Sequence, residues 1–293
     1  MTTPPLSVCL TSYKRGYIIA KTIESILAQT FGDFELVICD DDSQDETEAI
    51  CRKYESLDKR VRFIGQPRNI GMPANLQTAI AATSAPLIAN LHDGDTFHPT
   101  LLEKWKDALD SHPDAAFSFC QVVHLNQNGV TSRLRAPDLP HLIPRRALVE
   151  YMLSPVALFD SPVWGTVMGR RSAYAEVGGF ESRYSFYSDV AMWMRLNLRY
   201  PVIYISEPLM FLKGLEPGRP WEITNWSLAQ IAFDIYQEAA DGLYAGSPVE
   251  NCPGAKATSP SPRCTVAQGA WFLRQARSSP SARGGNRNLC CRR

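Results

Sequence analysis

The sequence predicts an α/β protein built on a mostly parallel sheet flanked by helices. Three observations carry that prediction. In the first half, apolar runs of strand length alternate with segments whose apolar residues recur at helical spacing. Each of the first four runs ends in a polar cluster, as strands do when exposed loops lead them into helices. Near residue 246 the composition breaks sharply, separating a foldable body from a tail. The chain has 293 residues, 45% hydrophobic and 20% charged, enough to bury one large core or two small ones.

Residues 6–11 form the first apolar run. After Gly16, the residues Ile19, Ile23, Ile26 and Leu27 recur at i, i+4, i+7 and i+8, a helical stripe. Residues 34–39 (FELVIC) are a second buried strand that runs into DDDSQDET. Ser43 and Asp45 are N-cap residues for a helix over 45–56. Residues 61–64 are a third strand. Pro73, with its φ fixed near the helical value, suits the first turn of a helix reaching Ala82. Residues 87–91 are the fourth strand, and a helix over 100–110 places Leu102, Trp105 and Leu109 on one face. The second half is less regular. Residues 115–125 read as one long strand, 126–129 as a turn, and 131–144, polar and proline-containing, as a loop. A helix over 145–153 follows, and Gly178-Gly179 breaks the chain before Phe180. Val190, Trp193, Met194 and Leu198 give a further helical stripe, ahead of a strand over 202–205.

Formal net charge is zero, so nothing global points to nucleic acid or an anionic membrane. Residues 246–293 carry eight Lys or Arg against the single acid Glu250. Gly, Ser and Pro make up 16 of those 48 residues and Ile, Leu, Val and Phe only five, so the segment is expected to be a disordered tail. No stretch has the roughly 20 apolar residues of a membrane helix, and the start lacks the basic-then-apolar pattern of a signal peptide. Cys9, Cys39, Cys51 and Cys120 read as reduced core thiols of a cytoplasmic protein. Cys252, Cys264, Cys290 and Cys291 do not have zinc-ligand spacing.

In open parallel sheets ligands bind at the carboxyl ends of the strands. The four predicted strands end in Ser12-Tyr13-Lys14-Arg15, Asp40-Asp41-Asp42-Ser43, Arg68-Asn69-Ile70-Gly71 and His92-Asp93-Gly94-Asp95. Singly each is an ordinary polar loop; together they load one edge with acids, arginines and an aromatic. There is no Gly-x-Gly-x-x-Gly after the first strand and no Gly-x-x-x-x-Gly-Lys, which argues against a dinucleotide-binding dehydrogenase and a P-loop NTPase. A divalent cation on Asp93 and Asp95 would neutralise phosphate instead, with Gly94 turning both acids to one side. The alternative is a helix-approach turn, although Asp95 lies too early to cap a helix from Thr100.

SVCLTSYKRGYIIAKTIESILAQTFGDFELVICDDDSQDET resembles the opening of the inverting family 2 glycosyltransferases, which have the GT-A fold. RNIGMPANLQTAI, LHDGDTFHPTLLEKW and GGFESRYSFYSDVAMWMRL resemble three later blocks of that family, so the likeness spans about residues 6–212. It implies a GT-A, Rossmann-like body over 1–245, with a nucleotide-binding half of about 1–112 and an acceptor-binding half of about 113–245. Carried over by position, Tyr13 lies against the base of a sugar nucleotide, Asp40 or Asp41 accepts a hydrogen bond from that base, and Arg68 is a further nucleotide contact. Asp93 and Asp95 hold Mn²⁺ or Mg²⁺ on the diphosphate, Asp93 thereby touching the donor, and Asp189 is the catalytic base. Asp189 also stands where an N-cap belongs, just before the Val190 stripe, and the two roles are compatible. The sequence departs from the family pattern at His92 and Gly94, where acids are usual, and at Ser188, where a Glu is usual. No Gln-x-x-Arg-Trp follows Asp189, which argues against processive polymer synthesis of the cellulose type.

The implied activity is a metal-dependent, hexosyltransferase-type reaction of polysaccharide biosynthesis. Its partners are a nucleotide-sugar donor and a glycan or lipid-linked saccharide acceptor, with peripheral contact at the inner face of a membrane open to the basic tail. Two other readings stand beside it: a sugar nucleotidyltransferase of similar fold, and a degenerate homologue that binds sugar nucleotides without turnover. Trp164 either lines the acceptor pocket or packs internally. His92, His98 and His124 show no ligand spacing and read as structural.

Overall fold

The computed structural model describes residues 3–125, 131–135, 138–154, 161–163, 165–213 and 226–243. The expected tail over 246–293, the turn over 126–129 and Trp164 lie outside the described residues. The first half runs β1 (Leu6–Ser12), α1 (Ile19–Leu27), β2 (Phe34–Asp40), α2 (Thr47–Leu57), β3 (Val61–Gly65), α3 (Met72–Ala81), β4 (Leu87–His92), β5 (Asp95–Phe97) and α4 (Leu101–Ser111). Then come β6 (Phe117–Leu125), β7 (Thr131–Arg135), β8 (Leu142–Ile143), α5 (Ala147–Met152), β9 (Val167–Arg170) and α6 (Arg171–Glu176). A 3₁₀ turn over Ser182–Tyr187 leads into α7 (Ser188–Arg199), and β10 (Val202–Lys213) and α8 (Trp226–Leu243) complete the order.

The strands make one sheet in the order β3-β2-β1-β4-β9-β6-β10-β5, with β7 beside β6 and β8 beside β10. The first four strands in sequence are mutually parallel, β9 runs against both β4 and β6, and β10 is parallel to β6. The α/β class and mostly parallel sheet expected from the sequence are therefore present. Thr11 pairs with His92 and Ser12 with Asp40, so the loops after β1, β2 and β4 leave the sheet at nearly one level.

Side chains alternate across the sheet and fill one core on each face. Val8, Leu10, Leu36 and Ile38 pack with Ile19, Ile23 and Ile26 of α1 and with Leu102, Trp105 and Leu109 of α4. Cys9, Val37 and Cys39 point the other way, toward Leu76 and Ala79 of α3 and the α5–α7–α8 layer. On that face Trp193 is fully buried among Phe117, Tyr174 and Phe180. Burial on both faces explains why β1, β2 and β4 read as continuous apolar runs. Cys9, Cys39, Cys51 and Cys120 are buried and unpaired, as core thiols should be.

Two expectations for the second half need correction. The loop expected over 131–144 contains β7 and β8, polar edge strands whose pairing comes from β6 and β10. The strand expected over 202–205 is the start of a 12-residue strand. Its register shifts on both sides of Pro208, which cannot donate to a ladder, so the apolar pattern breaks while pairing resumes beyond it. Among the described residues no helix is long and apolar enough to cross a membrane.

Candidate functional site at the strand ends

In the order 3-2-1-4 the winding reverses between β1 and β4, which run parallel, and it is at the carboxyl ends of such strands that open α/β sheets bind ligands. Side chains and backbone from both strands meet there. The Tyr13 N–H donates to Asp93 Oδ2 at 3.2 Å, and Arg15 Nε donates to Asp93 Oδ1 at 3.4 Å. Gly94 turns the chain with φ +90° and brings Asp95 to the start of β5. Thr22 of α1 fixes that turn: its hydroxyl accepts from Gly94 N–H at 3.1 Å and donates to the Asp95 carbonyl at 2.8 Å.

The two carboxylates are electrostatically expensive. Burial pushes Asp93 up to about 6, against the pull of Arg15 and the Tyr13 N–H. Asp95 is 8% exposed and rises well above the usual carboxylate range, through burial first and the neighbouring Asp93 second. Its Oδ2 is buried with no hydrogen-bond partner among the described residues. Such an orphaned oxygen beside a second acid fits a hard divalent cation, and an all-oxygen set suits Mg²⁺ or Mn²⁺. Among the described residues no three His, Cys, Asp or Glu side chains converge on one point. A cation held here would take its other ligands from substrate or water.

After β2, Asp40 accepts from the Ser43 N–H at 3.0 Å and from the Ser43 hydroxyl, and burial raises its pKa. Asp41 is already engaged. Its two carboxylate oxygens accept from the N–H groups of Ile70 (2.7 Å) and Gly71 (3.0 Å), which pins the loop that carries Arg68. Arg68 itself is exposed. Tyr13, 41% exposed, presents its ring at the edge with the Lys14 ammonium 5.1 Å from the centroid. A cavity of about 310 Å³ lies beside this loop, lined by Asp40, Ser43, Asp45, Glu48 and Gln66 among others. Asp45 accepts from the Thr47 N–H at 2.9 Å, but the N-cap of α2 is Glu46, and the expected cap Ser43 is turned to Asp40 instead.

Asp189 stands in the first turn of α7, with Oδ1 accepting from the Val190 N–H at 2.7 Å. Burial raises its pKa to about 6. The 3₁₀ turn before it carries Ser185 at φ 47°, a costly conformation for a residue with a Cβ. Gly165 closes the arrangement. A Cβ at that position would lie 2.8 Å from Asp189 Oδ2 and 2.8 Å from His92 Nε2. The absent side chain lets the end of β4 and the start of α7 meet. Burial alone pushes His92 down to about 4. His98, by contrast, is exposed and bonds Thr100 locally at 2.9 Å, as a structural histidine would.

The fold thus gathers Tyr13, Asp93 and Asp95 at one crevice, brings Asp189 to it through His92 and Gly165, and sets Asp40, Asp41 and Arg68 on the neighbouring loops. Arg15, Thr22 and Gly165 were not singled out from the sequence as site residues. Arg15 had a signal, since it closes the polar cluster after β1. Thr22 is hidden in the α1 stripe, and Gly165 acts by lacking a side chain.

Comparison with known proteins gives a consistent picture. The profile of "Glycosyl transferase family 2" matches residues 7–178. Chondroitin synthase of Escherichia coli is 34% identical over 239 residues, 80% of this chain and 34% of that protein. Protein CgeD of Bacillus subtilis is 28% identical over 227 residues, 70% of this chain and 49% of that one. UDP-Glc:alpha-D-GlcNAc-diphosphoundecaprenol beta-1,3-glucosyltransferase WfgD of Escherichia coli is 27% identical over 133 residues, 45% and 51% of the two chains. This chain therefore spans about a third to a half of the length of these relatives. Among solved structures, S. aureus TarS 1–349 in complex with UDP-GlcNAc superposes with a TM-score of 0.62 at 17% identity, over 83% of this chain and 73% of that one. The shared architecture is the GT-A fold.

Proposed function

The chain belongs to glycosyl transferase family 2, and on that premise we propose that it transfers a sugar from a nucleotide-diphospho-sugar to a hydroxyl of a saccharide acceptor, with inversion. One observation carries the proposal. The paired carboxylates after β4 and the raised carboxylate of Asp189 are drawn to a single edge, linked through His92 and Gly165.

In this reading Tyr13 stacks on the base, Asp40 or Asp41 accepts a hydrogen bond from it, and Arg68 closes over the nucleotide from the next loop. Asp93 and Asp95 would hold Mn²⁺ or Mg²⁺. When bound, that ion supplies positive charge to the departing diphosphate. Asp189 takes the proton of the acceptor hydroxyl as its oxygen bonds to the anomeric carbon. The bond from that carbon to the diphosphate breaks, and its electron pair leaves with the diphosphate. A positioned base contributes about 10²–10⁴-fold. Burial prepares Asp189 for the work, because a carboxylate poised near 6 binds a proton more readily than one near 4 and is still ionised at pH 7. A UDP-sugar is the first donor to try, since TarS was solved with UDP-GlcNAc and the name of WfgD specifies UDP-Glc. Acceptors of the glycan or lipid-linked kind fit an open edge, and the latter would bring the enzyme to a membrane surface.

The test is donor cleavage with and without Mn²⁺ across UDP-, GDP- and dTDP-sugars, for wild type and Asp95→Ala. Metal-dependent cleavage lost in the variant supports the proposal. Equal inertness of both proteins with every donor sinks it, and tight donor binding without turnover marks a non-catalytic homologue.

A further inference from the structure

His92 has no hydrogen bond to any described residue, although a ring nitrogen and Asp189 Oδ2 each lie 2.8 Å from the same point on Gly165. The two atoms are thus no farther apart than two hydrogen bonds laid end to end. Oδ2 likewise takes no bond from another described residue, its partner oxygen being held by the Val190 N–H. Next in sequence to Gly165 and Asp189, the hydroxyls of Thr166 and Ser188 are buried without a partner among the described residues. His92 and Asp189 are only partly buried, so their unpaired atoms can be reached by a ligand. Gly165 matters here too, because any side chain there would displace both groups.

We infer that His92 is a second acceptor contact, which pairs with Asp189 across Gly165 to grip two hydroxyls on adjacent carbons of a saccharide. This rests on the functional reading above and narrows its acceptor to a vicinal diol. The attacking hydroxyl gives its proton to Asp189, and the neighbouring hydroxyl bonds the His92 ring nitrogen. A hydroxyl both donates and accepts, so either imidazole tautomer serves. His92 takes no proton in the reaction. Its bond orients the diol so that the oxygen attacked by Asp189 faces the anomeric carbon, a form of positioning that an isolated base cannot supply.

The experiment uses the full chain, the UDP-sugar cleaved fastest, and a panel of methyl hexosides with analogues deoxygenated at single carbons. Transfer to each hexoside is measured as kcat/KM, and UDP affinity by calorimetry. His92→Leu is expected to lower kcat/KM about 10- to 100-fold, chiefly through acceptor KM, the range for losing one hydrogen bond to a site built for it. UDP affinity stays within error, and His92→Gln recovers part of the loss. In wild type, removing the hydroxyl beside the attacking one lowers kcat/KM by a similar factor; in His92→Leu the same removal has no further effect. An equal loss for the deoxy analogue in both proteins overturns the inference. So does a parallel fall in UDP affinity, which would make His92 a support for Asp93. Donor cleavage that no hexoside accelerates overturns it while leaving the functional reading intact. A wild type that cleaves no sugar nucleotide overturns both.

Discussion

The backbone N–H of Tyr13 donates to Oδ2 of Asp93 across 80 residues of sequence, tying the end of β1 to the end of β4. These are the strands between which the sheet reverses its winding, so one bond fixes the crevice at its centre. It also divides the labour of the acidic pair. Asp93 is held by Tyr13 and Arg15, whereas Asp95 keeps a buried oxygen without a partner.

That division predicts unequal stabilities for the two alanine variants. Without metal, Asp95→Ala should melt at or above wild type, because it removes a carboxylate that burial and Asp93 both disfavour. Asp93→Ala should melt lower than Asp95→Ala, because it leaves the Tyr13 N–H and the Arg15 guanidinium without their acceptor. With UDP and Mn²⁺ at 100 times the dissociation constant, wild type gains about 2.7 kcal/mol, or several degrees of Tm. Asp95→Ala should gain little beyond the effect of UDP alone. Thermal melts over a metal titration check all three.

Asp189 should leave its mark on both rate and stability. For wild type, kcat/KM should rise with pH through about 6 as the carboxylate ionises. Asp189→Asn should lose about 10²–10⁴-fold and that pH dependence with it. A pKa raised in the folded state means the fold binds the proton more tightly, so ionisation weakens the fold between about pH 4 and 7. Asp189→Asn should therefore be more stable than wild type at pH 8 and no more stable at pH 4, as measured by denaturant melts at each pH.

Asp41 and Arg68 should separate structure from contact. Asp41→Ala leaves the N–H groups of Ile70 and Gly71 unpaired, at a stability loss of about 1–3 kcal/mol, and loosens the loop that carries Arg68. Arg68→Ala, at an exposed position, should weaken UDP binding with no change in Tm. Calorimetry and denaturant melts distinguish the two.

Asn197 is a structural keystone behind α7. Buried completely, it accepts from Leu148 and Val149 N–H at the start of α5 and donates to the carbonyls of Pro144 and Tyr200. Asn197→Ala should cost about 2–4 kcal/mol while UDP affinity is retained at low temperature. A loss of UDP binding in the folded variant would show that the α5 layer reaches the nucleotide edge.

The parts of this fold that could be read from sequence are those where one residue carries its own signal. β1, β2 and β4 are buried on both faces and announce themselves as apolar runs. The acids at 93, 95 and 189 are conspicuous because they interrupt or follow such runs. β9 is only four residues long and gains its place by pairing with β4 and β6 at once. β7 is an edge strand with polar spelling, and Glu207-Pro208 hides the continuation of β10. The meeting of His92, Gly165 and Asp189 joins three distant points of the chain, one of which contributes by absence. Periodicity and motif spacing are local and do not register such contacts.

β5 pairs with β10, and Asp95 lies opposite Leu212. That pairing puts the loaded strand ends on a timetable. As the chain leaves the ribosome, the Tyr13–Asp93 link can form once β4 is made, while the strand that seats Asp95 waits for β10. Contacts of such sequence separation close late and slowly. A nascent or truncated chain ending before β10 would join β1 to β4 without a seated Asp95. In the proposed reaction, the cation site would be complete only once β10 has paired with β5.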